Sequence, residues 1–282
     1  MALRPDLLLA HTFAPAHRRY ERRDAILYAL GVGLGANDPA DLPFLLEDRL
    51  ETLPTFGVTL GTPGLWIKAP EFGVDFAKLV HYEQAAEFHA TLPAQGEIIA
   101  QARVAAVLDR GEGKGALVVV EREIRDSVTQ TLICTLRQTL LARADGGFGG
   151  TLAPHQPSLI PEQPPDAVAR FATDRRAALI YRLSGDLNPL HSDPEAARRA
   201  GFERPILHGL ASYGVAAVAV ARALGHSPTQ VKRLDCRFSG IVFPGDELNF
   251  RIWRTQESAV FQAFVGERKT LDQGRIAFRD PA

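Results

Sequence analysis

The 282-residue sequence has only two cysteines, Cys134 and Cys236, each inside an apolar, strand-like run. They form neither a metal-ligand spacing nor a disulfide framework, so they read as buried free thiols in a reducing compartment. Surplus charge is equally scarce: the formal net charge is −1, and no global field marks a nucleic-acid binder. The most apolar run, Gly209 to Ala221, ends at Arg222 and is too short to cross a bilayer. The opening MALRPDLLLAHTFAP has no secretory cleavage site, and Arg279-Asp280-Pro281-Ala282 carries no peroxisomal tripeptide, so a cytoplasmic setting is expected. CxxC, HExxH and GxGxxG are all missing, and with them any sequence signal for a metal, nucleotide or flavin.

What is present suits a folded core. Hydrophobic residues make up 46% and charged residues 23%, and the length allows one large domain or two ordinary ones. Residues 1–19 read as irregular. Glu21 to Leu30 reads as a helix stopped by Gly31, and Arg18-Arg19 with Arg22-Arg23 as a solvated helix face. Residues 36–64 are rich in Pro, Asp and Gly, which predicts loop with a short helix at Phe44–Leu50; a further helix is predicted over Asp75–His89. Alternating runs at 98–108, 116–124 and 131–142 predict antiparallel strands. Residues 146–166 then change character, with Gly146-Gly147-Phe148-Gly149-Gly150 and five prolines between Pro154 and Pro165, the signature of a linker.

After the linker the pattern recurs. Helices are predicted at 177–183, 195–200 and 209–224, and strands at 231–238, 247–255, 259–267 and 275–279. A shift of 153 positions lays Arg22, Arg23, Ala25, Tyr28 and Leu30 on identical residues at Arg175, Arg176, Ala178, Tyr181 and Leu183. A duplicated fold follows, with units at 1–145 and 167–282. The same shift sets Gly33 opposite Asp186 and Asp38 opposite His191, so only the second unit holds an acid and an imidazole at these positions. The first unit is left free to widen a pocket.

Those two groups stand in Gly185-Asp186-Leu187-Asn188-Pro189-Leu190-His191, where Gly, Asn and Pro argue against continuous helix and for display from a loop. Asp186 could equally close an Asx turn, and His191 could be a satisfied structural histidine. A second loop, Arg204-Pro205-Ile206-Leu207-His208-Gly209, opens a buried helix whose first backbone N–H groups are free to bind an oxyanion. Acid, base and oxyanion donor within one stretch suit chemistry on a carbonyl compound. His208 reads as a support that bonds the loop backbone, Asp193-Pro194 as a helix cap, and Tyr181 and Tyr213 as core or pocket lining.

The stretch from Tyr181 to His191 with Asp193-Pro194, followed by Pro205-Ile206-Leu207-His208-Gly209-Leu210, resembles the signature of the hydratase 2 (MaoC-like) family. The resemblance spans nearly the whole chain and is nearest to the two-repeat hydratase 2 unit of peroxisomal multifunctional enzymes. It implies an α+β double hot-dog, two antiparallel sheets each wrapped around a long helix. It also implies hydration of trans-2-enoyl-CoA to (3R)-hydroxyacyl-CoA, or the reverse dehydration, with no cofactor besides the coenzyme A of the substrate. Asp186 and His191 would be the acid/base pair, Asn188 their orienting group and Gly209 the oxyanion donor. His81, Tyr82 (where the family has Gly), Arg110 (where Lys is usual) and Phe238 would contact the acyl-CoA, with Leu187, Pro189 and Leu190 lining the loop. A homodimer is a further expectation, and neither nucleic acid nor membrane is an expected partner. Two other classes stay open: a hot-dog thioesterase, which has no need of the Asp186/His191 loop, and a non-catalytic acyl-CoA-binding protein.

Overall fold

A computed structural model describes residues 3–35, 38–256 and 258–280. The readings that touch Met1, Ala2, Ala36, Asn37, Pro281 and Ala282 lie, at those positions, outside the described residues. The chain begins with α1 (Pro5–Ala10) and β1 (Ala16–Tyr20), where irregular chain was expected. Arg18 and Arg19 therefore extend from a strand, and only Arg22 and Arg23 belong to the next helix. That helix, α2 (Arg22–Gly31), matches the prediction, and a Glu21/Asp24 capping box satisfies its first amides.

From Asp38 to Lys78 the described residues form only short 3-10 turns, among them Pro39–Phe44, Glu47–Arg49 and Pro54–Thr59. The short helix predicted at 44–50 is thus replaced by two such turns. The helix predicted over 75–89 is instead β2 (Leu79–Phe88), which has strand partners on both sides. Pairing on both edges overrides the helix preference of its Glu, Gln and Ala residues. Strands β3 (Gly96–Asp109), β4 (Ala116–Asp126) and β5 (Leu132–Ala142) complete the first half.

The second half runs β6 (Ala167–Ala172), α3 (Ala177–Tyr181), α4 (Pro194–Arg199), α5 (Gly209–Ala223), β7 (Val231–Phe238), β8 (Glu247–Arg254), β9 (Ser258–Val265) and β10 (Arg268–Phe278). β6 had no sequence prediction, and β10 begins well before the predicted Arg275. All ten strands form one sheet, in the order β1-β3-β4-β5-β2-β7-β10-β9-β8-β6. The two halves of that order mirror each other, and antiparallel pairing of β2 with β7, from Glu83↔Arg237 to Glu87↔Arg233, joins them. The expected two sheets are therefore one continuous sheet.

Among the described residues only the second half has the expected long helix. α5 is apolar and buried on nearly every side, as a core helix should be. At Gly214 a Cβ would stand 2.6 Å from Val32 and 2.7 Å from the Tyr28 hydroxyl, so glycine lets α5 seat against α2. The shift of 153 brings the start of α5 onto the turn Pro54–Thr59 of the first half. There Gly57, Gly61, Pro63 and Gly64 prevent a helix from continuing. α5 contributes Val218 and its other buried residues to a large apolar cluster that also includes Leu234, Phe250 and Phe261. A smaller one, with Leu8, Ile67, Phe72, Val118 and Leu140, lies in the first half.

Candidate active site

The loop after α3 is built by local rules. Gly185 has φ +123°, a left-handed value that lets the chain turn after the 3-10 turn Arg182–Ser184. Asp186 follows, exposed, and its Oδ1 accepts the Asn188 N–H at 3.1 Å, closing an Asx turn. Asn188 Oδ1 in turn accepts the Leu190 N–H at 3.1 Å and caps the 3-10 turn Pro189–His191. His191, at the end of that turn, is buried. Its Nδ1 lies 2.9 Å from the Ile206 carbonyl oxygen. A carbonyl only accepts, so Nδ1 carries the proton and Nε2 presents its lone pair.

His208 lies beside it, the two imidazoles stacked with centroids 3.7 Å apart. His208 Nε2 donates to the Asp186 carbonyl at 3.1 Å, which holds the loop by its backbone. Asp186, His191 and His208 each place one ligand-type atom within 4.8 Å of the others, a donor set that could also bind a transition metal. Burial pushes the His191 imidazole below its ordinary pKa, against the opposing effects of the Ile206 carbonyl and the Asp186 charge. Burial, then the neighbouring His191, bring His208 down to about 4. Both rings are therefore neutral near pH 7, the state a proton acceptor needs.

Gly209, the first residue of α5, has an N–H with no intrahelical acceptor. The Phe238 ring closes over it: a Cβ on Gly209 would stand 3.2 Å from two ring carbons. Phe238 packs edge-on against His81 at 4.8 Å. His81 Nε2 donates to the Glu83 carbonyl at 3.1 Å, and Nδ1 accepts from Gln138 at 3.4 Å. With both nitrogens engaged and burial lowering its pKa to about 4, His81 is a wall rather than a base. Asp186, Asn188, His191, Gly209, His81 and Phe238 thus belong to one neighbourhood.

The remaining predicted contacts are placed less uniformly. Tyr82 is the extra residue of a β-bulge between His81 and Glu83. Its ring lies 4.9 Å from the Arg237 guanidinium and 5.8 Å from that of Arg110. Arg237, which the sequence did not single out, also pairs with Glu83 at 2.7 Å. Leu187 and Pro189 are exposed, and Leu190 is half-buried. A cavity of about 300 Å³ ends on Ser184 and Gly185, next to Asp186, and is walled by Phe56, Thr59 and Leu60 of the first half. A larger one of about 530 Å³ touches Gly33 and Asp38, the counterparts of Asp186 and His191. Its buried Asp41 is tied to Arg222 at 2.6 Å and to the Gly35 N–H at 2.6 Å. Neither cavity is lined by Asp186, His191 or His208; the smaller one reaches the same loop at Ser184 and Gly185.

Fold and site together define a double hot-dog protein in which, among the described residues, Asp186, His191 and His208 cluster in the second half. The MaoC-like domain model matches residues 157–274, and the MFE-2 hydratase 2 N-terminal domain model matches 19–144. The chain is 37% identical to the peroxisomal enoyl-CoA hydratase 2 of Arabidopsis thaliana, over 97% of this chain and 95% of that protein. It is 39% identical to the 3-hydroxyacyl-thioester dehydratase Y of Mycobacterium tuberculosis, over 99% of each. The crystal structure of a MaoC-like dehydratase from Phytophthora capsici superposes with a TM-score of 0.84 at 30% identity, covering 98% of this chain and 99% of that one. The chain belongs to the MaoC-like hydratase 2 family.

Proposed function

We propose that the protein adds water to trans-2-enoyl-CoA to give (3R)-hydroxyacyl-CoA, and catalyses the reverse dehydration. One observation carries the reading. The bond from His191 Nδ1 to Ile206 leaves Nε2 with a free lone pair, in a cluster where ligand-type atoms of His191 and Asp186 lie within 4.8 Å. A water held between Asp186 and His191 loses a proton as its oxygen bonds to C3. C2 gains a proton, and the thioester oxygen carries the negative charge that builds up between these events. The Gly209 N–H, at the positive end of α5, stabilises that oxygen. Asn188 keeps the loop in register through its cap on Leu190.

On this reading His81 and Phe238 wall the reacting end. Tyr82 and Arg110 contact the coenzyme A moiety, and Leu187, Pro189 and Leu190 contact substrate along the loop. The scheme uses no metal or other cofactor. The sequence divides into a first unit, 1–145, that shapes the acyl pocket, a linker at 146–166 and a catalytic unit, 167–282. A cytoplasmic homodimer is the expected form.

The test follows loss of enoyl absorbance with crotonyl-CoA and trans-2-decenoyl-CoA, with an (R)-specific dehydrogenase reading the product. Enoyl loss without thiol release, abolished in Asp186→Asn, is the expected result. Release of free coenzyme A would instead identify a thioesterase, and tight acyl-CoA binding without turnover a binding protein.

A further inference from the structure

The inner face of the first-half sheet is largely apolar, with the buried Asp109 at one end and a polar band along one diagonal. Ala100, Ile124 and Leu136 belong to the large cluster around α5, while Ala102, Val120 and Leu140 belong to the smaller one. Between them, on the same face by strand register, stand Arg122 on β4, Gln138 on β5, and Gln84 and His81 on β2. The band therefore runs from the His81–Phe238 wall of the candidate site into the first half. There the turn Pro54–Thr59 replaces a long helix.

Arg122 is the anomaly in this band. It is 9% exposed and has no carboxylate partner among the described residues. One guanidinium nitrogen donates to the Val58 carbonyl at 2.7 Å, and its Nε has no acceptor. The ionisable neighbours do not answer the charge. Burial keeps His81 neutral and raises the Cys134 thiol to about 12. Burial also lowers Arg122 itself to about 10, which leaves it protonated near neutral pH. Holding one backbone carbonyl needs no cation, and desolvating a guanidinium is strongly unfavourable unless an anion meets it.

We propose that Arg122 receives a carboxylate carried by the acyl chain, so that the preferred substrates are 2-enoyl-CoA thioesters whose acyl chain bears a distant carboxylate. The assignment rests on the hydratase reading above for the reaction, but not for the binding. The methylenes of such a chain would run along the polar band between the two apolar clusters, and its charged end would meet Arg122, whose Nε has no acceptor. Arginine suits this role because its planar fork binds a carboxylate in bidentate fashion.

The experiment compares 2-enedioyl mono-CoA thioesters of increasing length with alkyl 2-enoyl-CoA thioesters of the same lengths, in wild type, Arg122→Met and Arg122→Lys. At one length the wild type should prefer the carboxylate-bearing substrate by about tenfold or more in kcat/KM, and Arg122→Met should lower that ratio about 100-fold. Arg122→Lys, which keeps the charge, should recover part of it. Calorimetry with the saturated mono-CoA thioesters reads the same preference without chemistry. If the preference persists in binding but no enoyl-CoA is turned over, the hydratase reading fails and the carboxylate site stands. If the wild type shows no preference at any length, or Arg122→Met weakens both substrate series equally, the carboxylate site is overturned.

Discussion

Replacing Gly209 by alanine tests the oxyanion assignment where the space is tightest. The glycine has an ordinary helical backbone, so strain in φ is not at issue. The added Cβ meets Cδ1 and Cε1 of Phe238 at 3.2 Å and Cγ at 3.5 Å, so the ring must give by a few tenths of an ångström. Alanine restricts the unfolded chain and stabilises by about 0.4–1 kcal/mol, whereas overpacking costs about 1–3 kcal/mol. The net loss is about 1 kcal/mol, a fall in Tm of about 2–4 °C for a chain of this size. Catalysis should suffer more. Removing an oxyanion donor lowers kcat by about 10²–10³, and displacing the ring and the amide beside it should lower kcat about 10- to 100-fold. The assay pairs steady-state hydration with thermal unfolding for Gly209→Ala, Phe238→Leu and the double variant. Phe238→Leu should restore part of the rate to Gly209→Ala, because it removes Cε1 and leaves a smaller side chain that can turn away from the added methyl. A Gly209→Ala enzyme with undiminished kcat would refute the reasoning, as would a loss that Phe238→Leu leaves untouched.

Because burial depresses His191, kcat/KM should stay flat as pH falls to about 6.5 and decline only below it; an acid limb above that value in a pH–rate profile contradicts the assignment. Stability should respond to pH in the same direction. His81 and His208 titrate near 4 when folded and near 6.5 when unfolded, so the unfolded chain binds more protons between those values. Their contribution is intact above about pH 6.5 and is lost as pH falls towards 4, up to about 3 kcal/mol for each, which urea unfolding across that range would measure. Asp41→Asn should destabilise by about 1.5–3 kcal/mol, since Arg222 loses its closest charge partner and keeps only Asp38 at 3.5 Å and the Ala40 carbonyl; denaturant midpoints check this. The buried thiols Cys134 and Cys236, both pushed to high pKa, should resist thiol reagents until the chain unfolds.

Part of this molecule is legible in its residues. The identities shared by Arg22–Leu30 and Arg175–Leu183 announce the duplication, and the mirrored strand order carries it through the sheet. Gly185, Asn188 and Pro189 make a loop whatever surrounds them, so the Asp186–His191 turn could be read locally. β2 could not. Its Glu83-Gln84-Ala85-Ala86-Glu87 favours helix in isolation, the bulge at Tyr82 breaks its alternation, and both edges pair with strands distant in sequence. β1 was hidden for a related reason: as an edge strand it buries only Tyr20 fully, so its residues show no two-residue rhythm. Arg122 escaped notice because Val118-Val119-Val120-Glu121-Arg122-Glu123-Ile124 looks like a surface-charged strand. Only the sheet register reveals that it faces inward.

The junction of β2 with β7 has a consequence for how such a chain can change. Two identical subunits meeting along that seam would carry every substitution twice, so a change that enlarged one side would also damage the other. In a single chain the two sides are inherited separately. Gly209 can remain a glycine while its counterpart at position 56 is Phe, and a helix can be kept in one half and given up in the other. Covalent fusion released each half from copying its twin.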